Sequence, residues 1–233
     1  MAGVPVVIGV TGLPGCGKST ASKLLVGEEG LLIDADRIAS EILKDKRTLK
    51  LLSEAFGESI LRAGDLDREE LARTAFADKV SLQRLNSIMH PPILAEIRRR
   101  VDAAVQPRVI IDAPLLCETG LVETCHLGVQ LESSFENRVR RVQARGWDAA
   151  ELKRRDSGHE PELKRRLCHL QLVNEGPLEA FKQKVLELRE GVCYNGVSVG
   201  DAKNWRLTLL NFLNSENAWA IRSPGTQIHE DHR

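Results

Sequence analysis

The sequence predicts an α/β protein in which a five-stranded parallel sheet lies between layers of helices. Short runs of β-branched and other apolar residues alternate with helical patterns, and a glycine-rich loop follows the first of these runs. A long, mostly helical stretch separates the second run from the third. Alternation of buried strands with helices is typical of a parallel sheet that is covered on both faces.

Five short apolar runs predict the strands of this sheet. They lie at residues 4–10, 31–33, 109–111, 127–131 and 170–173. Helical patterns lie at residues 18–26, 136–145, 149–155 and 178–189. A further element over residues 205–213 is expected to close the fold, and residues 214–233 read as a polar tail.

The stretch between the second and third strands predicts a helical insertion over about residues 37–104. Its apolar residues recur with helical spacing, and Gly57 and Gly64 interrupt the pattern. We expect the sequence His90-Pro91-Pro92 to break a helix, because proline has no N–H to donate. The stretch is too long for a simple crossover. We therefore expect it to stand over the carboxyl ends of the strands, where ligands bind in such sheets.

Composition and charge exclude several classes of protein. The 33 basic and 33 acidic residues balance, which gives no global attraction to nucleic acid or to a membrane surface. Aromatic residues make up only 4% of the chain, which disfavours a stacking platform for single-stranded nucleic acid. Five scattered cysteines without a CxxC motif predict free thiols, and no signal peptide or membrane span is recognisable, so we expect a cytoplasmic protein.

The glycine-rich loop carries the strongest motif of the sequence. It fits the pattern G-x-x-x-x-G-K-[ST], with a predicted strand before it and a predicted helix after it. The glycines let backbone N–H groups surround phosphate oxygens, the lysine supplies a positive charge, and the serine hydroxyl can bind Mg²⁺. The sequence therefore predicts binding of a nucleoside triphosphate with Mg²⁺ by Gly12, Leu13, Pro14, Gly15, Cys16, Gly17, Lys18, Ser19 and Thr20.

Three carboxylates at predicted strand ends are candidates for chemistry. Asp34 and Asp36 follow the second strand, where a carboxylate can accept the proton of an attacking hydroxyl or cap the next helix. We assign the cap mainly to Asp34 and the chemistry mainly to Asp36. Asp112 follows the third strand and is either a magnesium ligand together with Ser19 or part of a strand-end turn.

A run of basic residues between about residues 138 and 168 predicts a lid over the triphosphate. Arg141 and Arg145 are four residues apart and would share one helix face, so their guanidinium groups can stabilise the charge of a transferred phosphoryl group. The alternative is a solvated charged face, which is the commoner meaning of such runs. The absence of an N-K-x-D motif disfavours a switch GTPase, and the size of the chain suits a small-molecule kinase.

Several stretches of the sequence resemble the dephospho-CoA kinase family. They are IGVTGLPGCGKST, LIDADRIASEIL, AFGESILRAGDLDREELARTAFAD, LNSIMHPPI and APLLCETGL. The resemblance implies a nucleotide-kinase-like core, a helical CoA-binding domain and a lid within residues 1–213. It also implies transfer of the ATP γ-phosphoryl group to the ribose 3′-hydroxyl of dephospho-CoA.

The resemblance also implies roles for individual residues. Asp36 matches the position suggested as the catalytic base, Lys18 and Ser19 match the phosphate and magnesium positions, and Arg141 and Arg145 match lid arginines. Contact with the acceptor is implied for Arg68, His90, Pro114 and Leu115, and contact near adenine for Asn174. The sequence departs from the family where His159 follows Arg155 in place of the usual R-x-x-x-Q glutamine.

Two other functions compete with this interpretation. The chain could be another small-molecule kinase that acts on a nucleoside, a nucleotide or a sugar, although the stretches around Asp36 and His90 weigh against it. It could also be a nucleotide-binding regulator without activity, although retention of Lys18, Ser19 and Asp36 weighs against that. We expect a small-molecule partner, no nucleic-acid or membrane partner, and a monomer or a weak homo-oligomer.

Overall fold

The computed structural model describes residues 5–194, so the predicted element at 205–213 and the polar tail at 214–233 lie outside the described residues. In chain order the elements are β1 (Val6–Gly12), α1 (Lys18–Val26), β2 (Leu31–Asp34), α2 (Ala35–Ile42), α3 (Lys46–Phe56), β3 (Leu61–Arg62), β4 (Asp65–Leu66), α4 (Arg68–Ala75), α5 (Lys79–Asp102), β5 (Arg108–Asp112), β6 (Leu127–Glu132), α6 (Phe135–Val142), α7 (Ala149–Asp156), α8 (Pro161–Leu167), β7 (Leu170–Val173) and α9 (Leu178–Tyr194). They form two compact units: the first comprises residues 5–33 and 104–194, and the second comprises residues 34–103.

The first unit contains the predicted five-stranded parallel sheet, which confirms the fold class. Its strand order is β2-β5-β1-β6-β7. Strand β1 is central, because Val6 pairs with Arg108 of β5 on one side and Ile8 pairs with Leu127 of β6 on the other. All seven residues of β1 are buried. The loop that follows Gly12 therefore starts at the middle of the carboxyl edge, where ligands bind in open α/β sheets.

The two faces of β1 meet different parts of the first unit. Val6, Ile8 and Val10 point to one face, because successive side chains alternate along a strand, and they join an apolar cluster with helices α1 and α9. On the other face, a Cβ added to Gly9 would lie 2.7 Å from Cys125 Sγ and 2.7 Å from a Leu116 methyl carbon. The segment after β5 therefore approaches β1 so closely that only glycine fits there.

The second unit is mainly helical and has a core of its own. Five of its buried apolar residues form one cluster: Leu52, Ile60, Leu71, Ala75 and Met89. Four helices of this unit begin with an aspartate whose carboxylate accepts a hydrogen bond from a backbone N–H of the first turn. These aspartates are Asp34, Asp45, Asp67 and Asp78. Such caps satisfy N–H groups that the helix itself leaves without partners.

A short hairpin in the second unit was not predicted from the sequence. Strands β3 and β4 have two residues each, and Leu61 pairs with Leu66 in antiparallel register. The turn residues Ala63 and Gly64 have φ angles of 52° and 87°. Two consecutive left-handed residues are typical of a tight hairpin turn. Strands this short show no alternation of apolar and polar residues, so the sequence pattern could not reveal them.

The expectation that His90-Pro91-Pro92 breaks a helix was wrong. Helix α5 runs through both prolines without interruption. Each proline removes one hydrogen bond from the helix. The loss is offset by packing, because Met89 is buried in the apolar cluster and Ile93 packs against it. Tertiary packing on both sides of the prolines has overridden the local preference.

The predicted helix over residues 136–145 ends earlier than expected. Helix α6 stops at Val142, and Gln143–Arg145 form a single 3₁₀ turn. Gly146 then takes a left-handed conformation with φ 74°, which is a common way for a helix to end. Arg141 and Arg145 therefore do not share one helix face. Separately, none of the helices in residues 5–194 is both long and apolar enough to cross a membrane.

Candidate active site

The phosphate-loop motif folds as a tight loop between β1 and α1. Gly12, Gly15 and Gly17 have φ angles of 142°, 82° and 105°, which side chains rarely allow. A Cβ added to Gly12 would also lie 2.4 Å from Leu131 O, so this position has no space for a side chain. Lys18 is the first residue of α1, and its Nζ donates to Gly12 O at 2.9 Å. The ammonium group therefore turns back over the loop, where phosphates bind in such motifs.

Three successive carbonyl groups of this loop accept hydrogen bonds from side chains outside it. Arg138 Nη1 donates to Pro14 O at 3.2 Å, and Arg141 Nη1 donates to Gly15 O at 3.4 Å. The amide Nδ2 of Asn174 donates to the carbonyl oxygen of the next loop residue at 2.9 Å. The C=O and N–H of a peptide point in opposite directions, so the bonds to the first and third of these carbonyls turn the N–H groups of the same peptides away from the bonded side chains. The N–H of the middle peptide donates to Leu13 O at 3.3 Å. N–H groups that are turned inward in a loop of this kind bind anions.

Asn174 is the link between this loop and the end of strand β7. Its side chain is buried, with a relative exposure of 5%. Besides the bond to the loop, Oδ1 and the backbone oxygen accept from Arg141 Nη2 at 3.2 and 2.9 Å. A Cβ on Gly17 would lie 2.7 Å from Asn174 Nδ2. Asn174 thus anchors the loop with both ends of its amide, and its predicted contact near adenine stays a prediction.

Arg138 is an anchor of the loop that the sequence analysis missed. Its relative exposure is 4%, and two guanidinium nitrogens donate to the two carboxylate oxygens of Asp156 at 2.8 Å each. The pair joins α6 to the end of α7. The signal in the sequence was the spacing of three residues between Arg138 and Arg141, which puts both on one side of α6.

Arg145 lies in a different environment from Arg141. It is exposed on the 3₁₀ turn, and its guanidinium carbon lies 5.6 Å from the ring centroid of Trp147. Arg155 stacks closer on the same ring, at 3.8 Å. The structure therefore joins Arg141, but not Arg145, to the phosphate loop.

The three predicted carboxylates lie in two places, at the start of helix α2 and at the end of strand β5. Asp34 caps α2, because its Oδ1 accepts from Arg37 N at 3.0 Å, and Asp36 lies in the first turn of the same helix. Asp112 is the last residue of β5 and pairs with Val10 of β1. Its carboxyl group is partly exposed at the edge from which the phosphate loop starts.

The oxygen donors near the loop fit a magnesium ion. Ser19 offers an exposed hydroxyl in the first turn of α1, and Asp112 offers a carboxylate on the neighbouring strand β5. Mg²⁺ prefers oxygen ligands and often takes only one or two from the protein, with phosphates and water completing its shell. Within the part of the chain that the structure describes, no group of three or more His, Cys, Asp or Glu side chains is placed to hold a metal.

The predicted acceptor residues fall on both units. Arg68 is the first residue of α4 and is exposed, and His90 lies inside α5, where burial lowers its pKa. Pro114 lies just after β5 in the first unit, where its carbonyl accepts from Thr11 Oγ1 at 3.0 Å and from Lys164 Nζ at 2.7 Å. Leu115 follows it and is partly exposed. The sequence analysis did not single out Lys164.

A cleft of about 230 Å³ opens beside the phosphate loop in the first unit. Its lining combines apolar side chains with several polar ones: Leu13, Gln130, Leu131, Glu132, Ser133, Ser134, Pro161, Arg165, Val173 and Glu175. Arg165 Nε donates to Glu132 Oε1 at 2.7 Å across this region. The cleft therefore offers polar contacts next to the loop and a wall contributed by α8.

Four cysteines of the first unit lie in the interior: Cys16, Cys117, Cys125 and Cys168. Burial raises the pKa of Cys16, and it raises the pKa of Cys125 to about 12. Cys117 and Cys168 approach each other with their sulfur atoms 3.7 Å apart. The hydrogen bond between the two thiols lowers the pKa of Cys117 and raises that of Cys168. The thiol of Cys16 is protonated at neutral pH and serves as a packing group of the loop.

Comparison with known proteins identifies relatives of this chain over most of its length. The family model described as dephospho-CoA kinase (CoaE) matches residues 6–179. A dephospho-CoA kinase of Corynebacterium efficiens is 40% identical over 182 residues, which cover 75% of this chain and 91% of that protein. A dephospho-CoA kinase of Streptomyces avermitilis is 35% identical over 201 residues, which cover 84% of this chain and 98% of that protein.

Two solved structures extend the comparison to the fold. The crystal structure of TT1252 from Thermus thermophilus superposes with a TM-score of 0.68 at 31% identity and covers 82% of this chain and 97% of that one. A dephospho-CoA kinase from Campylobacter jejuni has a TM-score of 0.61 at 22% identity, covering 82% and 98%. The family match spans more than half of the chain, and it includes the phosphate loop, Arg141 and Asn174. The chain belongs to the dephospho-CoA kinase family.

Proposed function

We propose that this protein transfers the γ-phosphoryl group of ATP to the ribose 3′-hydroxyl of dephospho-CoA, which gives coenzyme A and ADP. Nucleotide binding is supported mainly by the phosphate loop. Its carbonyls at Pro14, Gly15 and Cys16 all accept hydrogen bonds from side chains outside the loop. The acceptor half of the proposal rests on membership of the family.

Lys18 and Arg141 supply positive charge to the triphosphate. Phosphoryl transfer depends mainly on alignment and on stabilising charge that spreads over the transferred group. Lys18 already lies over the loop, and Arg141 touches the loop with one nitrogen. Ser19 and Asp112 would hold Mg²⁺, which neutralises phosphate charge when it is bound. We propose Arg145, which is exposed, as a second lid arginine.

Asp36 is the carboxylate that we propose as the base. Asp34 already accepts the N–H of Arg37, so its task as a helix cap is accounted for. Asp36 would accept the proton of the ribose 3′-hydroxyl, whose oxygen attacks the γ-phosphorus while the bond from that phosphorus to the bridging oxygen of ADP breaks. A base of this kind contributes a moderate factor, roughly 10²–10⁴ in rate.

Arg68 is the proposed charged contact of the acceptor. The stretch from Gly64 to Arg68 carries much of the resemblance, and the structure gives its other members local tasks. Gly64 makes the hairpin turn, Leu66 packs on the apolar cluster, and Asp67 caps α4. The side chain of Arg68 is exposed, so its guanidinium group is accessible to a charged ligand. We propose it, with His90, Pro114 and Leu115, for binding dephospho-CoA.

The proposal is tested with an assay that couples ADP formation to dephospho-CoA, with the product mass checked for one added phosphoryl group. The Lys18→Ala variant should lose about 3 kcal/mol of transition-state stabilisation, on the order of a hundredfold in rate. Lys23→Ala is the matched control, because Lys23 is exposed on the same helix. Near-normal turnover of Lys18→Ala, or transfer to a nucleoside or sugar in place of dephospho-CoA, would overturn the proposed function.

A second pair of variants separates the base from the cap. Asp36→Asn keeps the shape of the side chain but cannot accept the proton, so turnover should fall by roughly 10²–10⁴ with folding unchanged. Asp34→Asn keeps the cap of α2, because an asparagine Oδ1 accepts the same N–H, so it should cost little stability and little activity. If Asp34→Asn reduces turnover more than Asp36→Asn at equal stability, Asp34 is the base. The cytoplasmic location and the monomeric or weakly associating state stay predictions.

A further inference from the structure

Lys164 is a fully buried lysine in helix α8, with no exposed surface. Its Nζ donates to Pro114 O at 2.7 Å and lies 2.6 Å from each carboxylate oxygen of Glu118. A lysine ammonium has three hydrogens, so these partners use all of them. Burying such a charge is costly unless it is paired and fully hydrogen-bonded, which is the case here.

Glu118 connects the same pair to the beginning of α8. Its side chain is only 13% exposed, and its Oε1 accepts from Glu160 N at 3.1 Å. Glu160 is the N-cap of α8, which begins at Pro161, and the Glu160 side chain does not cap the helix. His159 Nδ1 lies 4.0 Å from the same oxygen, and burial lowers the pKa of this histidine. Glu118 thus fixes the start of α8, while Lys164 fixes its later turn.

The carbonyl of Pro114 joins this pair to the phosphate loop. Thr11, which immediately precedes Gly12, donates its hydroxyl to Pro114 O at 3.0 Å. Ala113 N donates to Val10 O at 3.1 Å, so the segment after β5 also follows the backbone of β1. One carbonyl therefore receives donors from α8 and from the strand that enters the loop.

We propose that Lys164 is a positioning residue for phosphoryl transfer, which acts through Pro114 O and Glu118 to hold helix α8 and the Pro114–Leu115 segment against the carboxyl edge of the sheet. Stability alone does not account for the pair, because apolar side chains of similar volume often replace a buried ion pair without loss of stability. What apolar side chains cannot supply is a directed donor for the Pro114 carbonyl. The inference rests on the proposed function, since Pro114 and Leu115 are its acceptor contacts.

The test compares Lys164→Met, Glu118→Leu and the double variant with the wild-type protein. Lys164→Met alone leaves a buried carboxylate without its partner, so its melting temperature and turnover should both fall. The double variant removes both charges and should regain the melting temperature. Its kcat should still fall by about tenfold to a hundredfold, while KM for ATP changes by less than roughly threefold. Arg154→Met, which affects an exposed pair on α7, is the matched control and should behave as wild type.

A second arm leaves the ion pair intact. Thr11→Val removes the other donor to Pro114 O with little change of shape, and its kcat should fall by about threefold to tenfold. Hydrogen exchange of the backbone amides at Leu116 and Thr119 should quicken in the double variant, because their acceptors, Ala113 O and Leu115 O, lie on either side of the Pro114 carbonyl that Lys164 holds.

The outcomes separate this inference from the proposed function. Absence of product with the wild-type protein refutes the proposed function. Wild-type kcat in a double variant of restored stability, or wild-type kcat in Thr11→Val, refutes the positioning role. Unchanged exchange at Leu116 and Thr119 refutes it as well, and that measurement needs no substrate.

Discussion

The basic segment from α6 to α7 has an inner end and an outer end that differ in what their arginines contact. At the inner end, Arg138 and Arg141 donate to backbone carbonyls of the phosphate loop, far away in the sequence. At the outer end, Arg154 and Arg155 pair with Glu151, three and four residues before them, and Arg145 lies near Trp147. The two ends have the same residue types and opposite structural roles.

This difference shows which basic residues of a run are built into a site. Pairs three or four residues apart on one helix surface are common and contribute little to stability. Donors to the carbonyls of a distant loop fix the loop itself, and here Arg138 is buried and Arg141 is partly buried. Substitutions at the inner end should therefore change stability or turnover strongly, and substitutions at the outer end should change them little.

The largest effect on stability is expected for Arg138→Leu. The substitution leaves the Asp156 carboxylate, which is only 20% exposed, without its bidentate partner and frees Pro14 O. Breaking such a pair should lower the free energy of unfolding by about 3 kcal/mol. Urea unfolding followed by circular dichroism measures the change. Arg154→Leu is the control at the outer end and should unfold like wild type; equal losses in both variants would abolish the distinction between the two ends.

Arg141→Ala should act mainly on turnover. Arg141 donates to Gly15 O, to Ser133 Oγ and to both oxygens of Asn174, so its loss loosens the loop at two points. We expect kcat/KM for ATP to fall by about thirtyfold, or about 2 kcal/mol. Arg141→Lys should not restore it, because an ammonium group lacks the planar fork that serves several acceptors at once. Full recovery in Arg141→Lys would show that charge alone matters at this position.

Asn174→Ala should have an intermediate effect on stability. It also distinguishes a role in anchoring the phosphate loop from a role in contacting adenine. Loss of the buried amide leaves the Cys16 carbonyl without this donor and should cost about 1–2 kcal/mol of stability. If Asn174 anchors the loop, KM rises by the same factor for ATP and GTP. If Asn174 also contacts adenine, as the family resemblance implies, the preference of the enzyme for ATP over GTP falls. Steady-state kinetics with both nucleotides measures the ratio.

The fold was predictable from the sequence because its strands are short apolar runs with clear ends. The run at 170–173 is observed as β7 (Leu170–Val173), and the helix predicted over 18–26 is α1 (Lys18–Val26). The prediction failed where tertiary packing decides the structure. Pro91 and Pro92 lie inside α5 because Met89 and Ile93 pack on either side, and no local rule contains that information.

The site was predictable only as far as its motif extends. The phosphate loop is a continuous stretch, so residue type and spacing identify it. Arg138 with Asp156 and Glu118 with Lys164 are 18 and 46 residues apart in the sequence, and nothing in the spacing marks them as partners. A helix cap can also be predicted from the sequence, because it involves residues that are close in the chain, as Asp34 shows.

The smallest effect is expected for Arg145→Ala. The side chain is exposed and contacts Trp147, so the free energy of unfolding should change by no more than about 0.5 kcal/mol. Its predicted role as a lid arginine requires a specific effect on turnover, which we expect to be a fall of roughly threefold to tenfold in kcat. Arg154→Ala is the matched control, since it removes an exposed arginine of the same segment that has no predicted role. If the two variants have the same kcat, the outer end is a solvated face and the lid charge is supplied by Arg141 without Arg145.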